Sequence, residues 1–86
     1  MPTRPSQDDP KRVAAWRRRR RQVGTRIQEL RIERGLTQEQ LALLSGVSRN
    51  VLMDIEHGRR GILHERLFDI ALAVGVSASD LLEGIR

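Results

Sequence analysis

The sequence has no cysteine among its 86 residues. That excludes disulfides, thiol catalysis and cysteine-ligated zinc, and it fits a reducing compartment such as the cytoplasm. It has only two histidines, His57 and His64, and no carboxylate cluster gathered with them, so no metal site is expected. No apolar run approaches the roughly 20 residues that span a bilayer, and no membrane partner is expected. The N-terminus opens on polar residues and prolines rather than an apolar stretch, unlike a secretory signal. Strand-like alternation is weak throughout and no internal repeat is present. There is no nucleophile–base pair, phosphate-cradling loop or metal-ligand cluster, so neither catalysis nor a cofactor is expected.

Length sets a further bound. The chain has room for one small domain with a limited core, marginal on its own and helped by a partner subunit. A deep catalytic pocket walled by long loops does not fit this size.

What the sequence does have is positive charge, and it is unevenly placed. The net charge is +5. Residues 1–22 carry eight basic side chains (Arg4, Lys11, Arg12 and Arg17 to Arg21) and two acidic ones, a net +6. Residues 23–86 carry eight basic and nine acidic side chains, a net −1. A basic excess is the footprint of a polyanion partner. Here it lies in an N-terminal arm, so the remainder must recognise its partner through local geometry rather than bulk field.

Residues 1–9 hold two prolines and no apolar period, and read as disordered. Asp9-Pro10 has the form of a helix start, with Asp as N-cap and Pro at the first helical position. A helix over 11–22 would gather Val13, Ala14, Ala15 and Trp16, with Trp16 packing the arm against the first or last helix of the domain. Five consecutive arginines repel one another, which disfavours this helix away from a polyanion partner. Gly24 weakens its continuity with the next helical segment. The expected division is therefore an arginine-rich arm over 1–21, disordered or an extra helix, and a domain over 22–86.

Helical spacing and end signals then predict five helices. The first covers about 22–34, with Val23, Ile27 and Leu30 on one face and Gly35 after its end. The second covers about 38–44, with Thr37 and Gln40 as a capping box and Leu41, Ala42 and Leu44 inward. The third covers 49–56, with Ser48 as N-cap and His57-Gly58 closing it. The fourth covers about 64–74, on a stripe of Leu63, Leu67, Ile70, Ala71 and Val74. The fifth covers about 78–83, capped by Ser77.

The second and third helices are separated by about three residues around Gly46, which forces a steep crossing. Ala42 permits close approach and Gly46 accepts a positive φ. Val47, Leu52 and Ile55 bury the inner face of the third helix. Its outer face keeps Ser48, Arg49, Asn50, Met53, Asp54 and His57. This is the helix-turn-helix layout, in which the second helix enters the major groove of double-stranded DNA.

The stretch Leu30 to Gly58 (Leu-Arg-Ile-Glu-Arg-Gly-Leu-Thr-Gln-Glu-Gln-Leu-Ala-Leu-Leu-Ser-Gly-Val-Ser-Arg-Asn-Val-Leu-Met-Asp-Ile-Glu-His-Gly) resembles the Xre/Cro-type, phage-repressor-like helix-turn-helix family. Ile70 to Val76 and Asp80-Leu81-Leu82 are similar to its fourth and fifth helices, so the resemblance covers roughly 22–83. It implies an all-α, five-helix, lambda-repressor-like domain, to which the basic arm is an addition. It further implies that Gln38 meets a phosphate and that Ser48, Arg49, Asn50 and Asp54 face DNA. Arg49 suits guanine and Asn50 suits adenine; Asp54 suits cytosine or the orienting of Arg49 or Asn50. Arg59 and Arg60 match a loop that touches backbone or bases, and Arg31 with Glu56 matches an internal ion pair. The chain departs from the family pattern at Ile62, where proline is common, and at His64, where an apolar residue is common.

These observations lead to a DNA-binding transcription regulator acting as a homodimer on a partly palindromic operator. Arg17, Arg18, Arg19, Arg20 and Arg21 would touch DNA from the arm. Leu81, Leu82 and Ile85 would form a twofold seam. Small regulators of this kind include phage repressors, restriction–modification controller proteins and antitoxins, so polymerase or a toxin is a conceivable further partner. Two other classes compete: a protein-interaction module, and an RNA-binding protein in which the arginines fold on RNA. Both predict weak dependence on Arg49 and Asn50.

Overall fold

The computed structural model describes residues 9–86, so the reading of residues 1–8 as disordered lies outside the described residues. Five α-helices and no strand occur among them: α1 (Pro10–Glu33), α2 (Gln38–Ser45), α3 (Arg49–Glu56), α4 (His64–Ala73) and α5 (Ala78–Leu81). The start signals read from the sequence are the ones used. Asp9 accepts a hydrogen bond from the Lys11 N–H at 2.9 Å, with Pro10 at the first turn. Thr37 accepts from the Gln40 N–H, and the Gln40 side chain accepts from the Thr37 N–H at 2.8 Å, a complete capping box. Ser48 and Ser77 cap α3 and α5 by the side chain alone, accepting from the Val51 and Asp80 N–H groups. Each such cap contributes about 1 kcal/mol by satisfying N–H groups that the helix cannot.

The arm and the first helix of the domain are one element. α1 runs for 24 residues, about 36 Å at 1.5 Å per residue, and continues through Gly24. Glycine was expected to weaken the helix there. Gly24 is instead buried against the end of α3: a Cβ built on it would stand 2.2 Å from the Ile55 carbonyl oxygen and 2.7 Å from that of Glu56. The close crossing requires a residue with no side chain, and it offsets the propensity cost of roughly 1 kcal/mol. Arginine is itself a good helix former, and Arg17 to Arg21 are all exposed to solvent. Trp16 is half-buried on α1 itself, rather than joining a separate arm to that helix.

The core contains Ile27, Leu41, Ala42, Val47, Leu52, Ile55, Ile70, Ala71, Val74 and Leu81, so every helix contributes to it. Each large side chain buried there supplies about 1.5–3 kcal/mol. Two inward assignments change. Leu44 is 62% exposed, and Ser45 takes the inward place on α2, its hydroxyl donating to the Leu41 carbonyl at 2.7 Å. Leu81 is fully buried in the core of its own chain, so its side chain is not available for the twofold seam; Leu82, 36% exposed, and the half-buried Ile85 are the outward residues there.

Two arginines close the fold through helix ends. Arg34 Nε donates to the Val74 carbonyl at 2.8 Å, at the end of α4. Arg26 donates to the Glu83 carbonyl at 2.7 Å, just beyond α5. A cation at a helix C-terminus meets carbonyls that lack partners within the helix.

Candidate nucleic-acid interface

α2 ends at Gly46, whose φ of +74° turns the chain sharply into α3. An L side chain would be strained at that angle. Val47 is buried straight after the turn, and Leu52 and Ile55 seat α3 from below. With that face fixed, Ser48, Arg49, Asn50 and His57 are exposed, and Met53 and Asp54 are half-exposed. The sequence reading placed these same six side chains on the outer face.

The outer face is not electrostatically simple. Arg49 Nε lies 3.8 Å from a carboxylate oxygen of Glu39, on the first turn of α2. Asp54 was expected to face DNA, meeting cytosine or orienting Arg49 or Asn50. Its two oxygens instead lie 3.4 Å from Arg59 Nε and 3.7 Å from Arg60 Nε. The loop folds back because the Arg59 N–H donates to the Asp54 carbonyl at 2.8 Å, closing the end of α3. Solvent-exposed ion pairs are worth about 0–1 kcal/mol, so these arginines can be exchanged to another anion at little cost. His57 closes α3, its Nδ1 2.7 Å from the Met53 carbonyl oxygen, and His64 begins α4 beside Glu65. No group of His or acidic residues that could hold a metal occurs among the described residues.

Beneath the interface sits the ion pair. Arg31 Nε and Nη2 donate to the two oxygens of Glu56 at 2.8 and 3.1 Å, and Nη1 donates to the Leu36 carbonyl at 2.9 Å. The Glu56 side chain is 1% exposed. Gln38 was expected to contact a phosphate from the N-terminus of α2; its side-chain amide donates to Glu56 at 3.2 Å. What Gln38 leaves toward solvent is the N-terminal end of α2, whose free N–H groups favour an anion.

A helix-turn-helix domain family matches residues 24–86. The chain belongs to the Xre-like helix-turn-helix family. An uncharacterised helix-turn-helix transcriptional regulator of Sinorhizobium fredii is 41% identical over 63 residues, covering 73% of this chain and 82% of the relative. The immunity repressor of Bacillus phage phi105 is 42% identical over 60 residues; those cover 70% of this chain but only 42% of the repressor. Among solved structures, the restriction–modification controller protein C.AhdI of Aeromonas hydrophila superposes with a TM-score of 0.71 at 34% identity, over 72% of this chain and 94% of its own. The family is one of non-enzymatic transcription regulators. The family match begins at Gly24 here, so the arginine run precedes the matched residues although it continues the same helix.

The sequence reading passed over two residues of α4. Phe68 is 59% and Leu72 80% exposed. Their signal was an apolar pair four residues apart, off the stripe that buries Ile70, Ala71 and Val74.

Proposed function

We propose that this protein binds double-stranded DNA sequence-specifically and regulates transcription as a homodimer on a partly palindromic operator, with α3 in the major groove. The observation that carries the reading is the solvent face of α3. Ser48, Arg49 and Asn50 stand at its capped N-terminal end, where a recognition helix meets base edges. Arg49 reads guanine through paired donors and Asn50 reads adenine. Arg59 and Arg60 reach the flanking backbone after exchanging Asp54 for phosphate. Gln38 contributes through the N-terminal N–H groups of α2, while its side chain holds Glu56. Asp54 thereby restrains two arginines rather than reading a base.

The dimer places two copies of α3 about one DNA turn apart. Its seam uses Leu82 and Ile85, joined by the exposed Phe68 and Leu72 of α4. Residues 22–86 form the recognition unit and residues 1–21 add charge. The protein acts in the cytoplasm, where blocking polymerase at the operator would repress and touching it would activate.

Selection of preferred sites from random duplex DNA by the full-length protein at near-physiological salt tests this reading. The expected result is a motif of two related half-sites at fixed spacing. Recovery of DNA with no enriched sequence would leave charge as the sole basis of binding, and would turn attention to a protein or RNA partner.

A further inference from the structure

The arginine run of α1 cannot act as one patch, because successive helix residues point about 100° apart. Arg19 and Arg20 line a largely apolar cavity of about 170 Å³ together with Arg60 and Gly61 of the loop after α3, over a floor that includes Val23, Leu67 and Leu82, so this side of α1 adjoins the proposed seam. Arg20 Nε lies 3.7 Å from where a Cβ on Gly61 would stand. No acidic side chain lines that cavity. Arg18 and Arg21 line a different groove, shared with Glu29 and Glu83 near the C-terminus. The run therefore has one side whose arginines border an apolar cavity lined by no carboxylate, joined to the loop that follows the recognition helix, and another that faces carboxylates.

The position of that cationic side relative to α3 is fixed. Gly24 lies against the Ile55 and Glu56 carbonyls, and a Cβ on Gly58 would stand 2.9 Å from Arg21 Cα. Both close crossings are within five residues of Arg19 and Arg20. The backbone of a helix held in this way is already ordered before binding, unlike that of a flexible arm. The aliphatic stems of the arginines can rest on apolar surface with their charged ends in water.

We propose that Arg19 and Arg20 join Arg60 in one rigid cationic ledge that grips the sugar–phosphate backbone of duplex DNA beside the bases met by α3, and that Arg18 takes no part. The ledge rests on the reading of α3 as the recognition helix. It adds affinity without sequence preference, because phosphates carry no base information. Asp54 links the two surfaces, since it faces the major groove from α3 and holds Arg60 at 3.7 Å.

Salt dependence of duplex binding by the full-length protein tests the ledge. Arg19→Ala and Arg20→Ala are each expected to reduce the slope of log K against log salt by about 0.9, the value for one lost phosphate contact, on the selected site and on random duplex alike. Arg18→Ala is expected to leave the slope unchanged. All three side chains are exposed, so each variant should keep its helix content, which circular dichroism checks. An equal loss in Arg18→Ala would overturn the ledge in favour of a diffuse cloud of charge. Unchanged slopes in Arg19→Ala and Arg20→Ala would remove it from DNA. A failure of the recognition-helix reading is distinguishable: the unsubstituted protein would then enrich no sequence from random duplex, whatever the slopes.

Discussion

Gln38 donates its side-chain amide to Glu56 across 18 residues of sequence, sharing one carboxylate oxygen with Arg31. The start of α2 is thereby tied to the end of α3 and to α1 through one buried anion. Such an anion is tolerable only while its donors remain, because an unpaired buried charge is far costlier than the pair is favourable.

Glu56→Ala would leave the Arg31 guanidinium without its charged partner, and Arg31→Ala would leave the buried Glu56 carboxylate with only the neutral Gln38 amide. Each is expected to lower stability by about 3–5 kcal/mol, a large part of what a small domain has. Gln38→Ala removes one of three donors to Glu56 and should cost about 1–3 kcal/mol. Urea denaturation followed by circular dichroism measures all three. A loss under about 1 kcal/mol for both ion-pair variants would show that water replaces the missing partner.

Gly24→Ala separates two explanations for an uninterrupted α1. Helix propensity alone predicts stabilisation by about 1 kcal/mol. The contact with the Ile55 and Glu56 carbonyls predicts the reverse, since neither backbone oxygen can move aside without shifting α3. Loss of thermal stability is expected, and a gain would show that α1 and α3 do not cross this closely.

Local signals were the legible part of the sequence. Thr37, Gln40, Ser48 and Ser77 cap within three residues of themselves, so neighbours in sequence suffice to predict them. The face of α3 followed because Leu52 and Ile55 define its buried side. What could not be read was set by distant partners. Gly24 looks like a helix breaker until Ile55 is placed against it, 31 residues away. Leu44 and Ser45 exchange roles because a hydroxyl can satisfy itself on its own helix. Asp54 was assigned to the recognition surface, but its partners arrive only when the chain folds back after His57.

Asp54→Asn releases Arg59 and Arg60 while keeping a side chain of similar size. Affinity for random duplex should rise, and the salt slope should steepen, because two guanidiniums no longer exchange a carboxylate for phosphate. The ratio of specific to nonspecific affinity should fall. Titration of labelled duplexes at several salt concentrations measures both. A fall in affinity for the selected site alone, with random duplex unchanged, would instead make Asp54 a base-reading residue.

Arg49 gives the opposite signature. Arg49→Ala is expected to cost about 1–3 kcal/mol on the selected site and to relax preference at one base pair per half-site. Its exposed pair with Glu39 holds it too weakly to compete with guanine. Equal weakening on random duplex would make Arg49 a backbone contact.

Leu81 and Leu82 are adjacent in sequence and should behave as different kinds of residue. Leu81 is fully buried, so Leu81→Ala removes core contacts and should destabilise the chain by about 2–5 kcal/mol at any protein concentration. Leu82 is 36% exposed beside the half-buried Ile85. Leu82→Arg places a charge and its twofold copy in the proposed seam, where burial without a partner is unfavourable. The variant should remain helical and sediment as a monomer at concentrations where the unsubstituted protein is a dimer. DNA binding should weaken steeply, since each copy would then engage one half-site alone. Phe68→Glu and Leu72→Glu should do the same if α4 shares the seam. Sedimentation velocity with circular dichroism on the same samples distinguishes loss of assembly from loss of fold. A Leu82→Arg protein that stays dimeric and keeps its affinity would place the seam elsewhere.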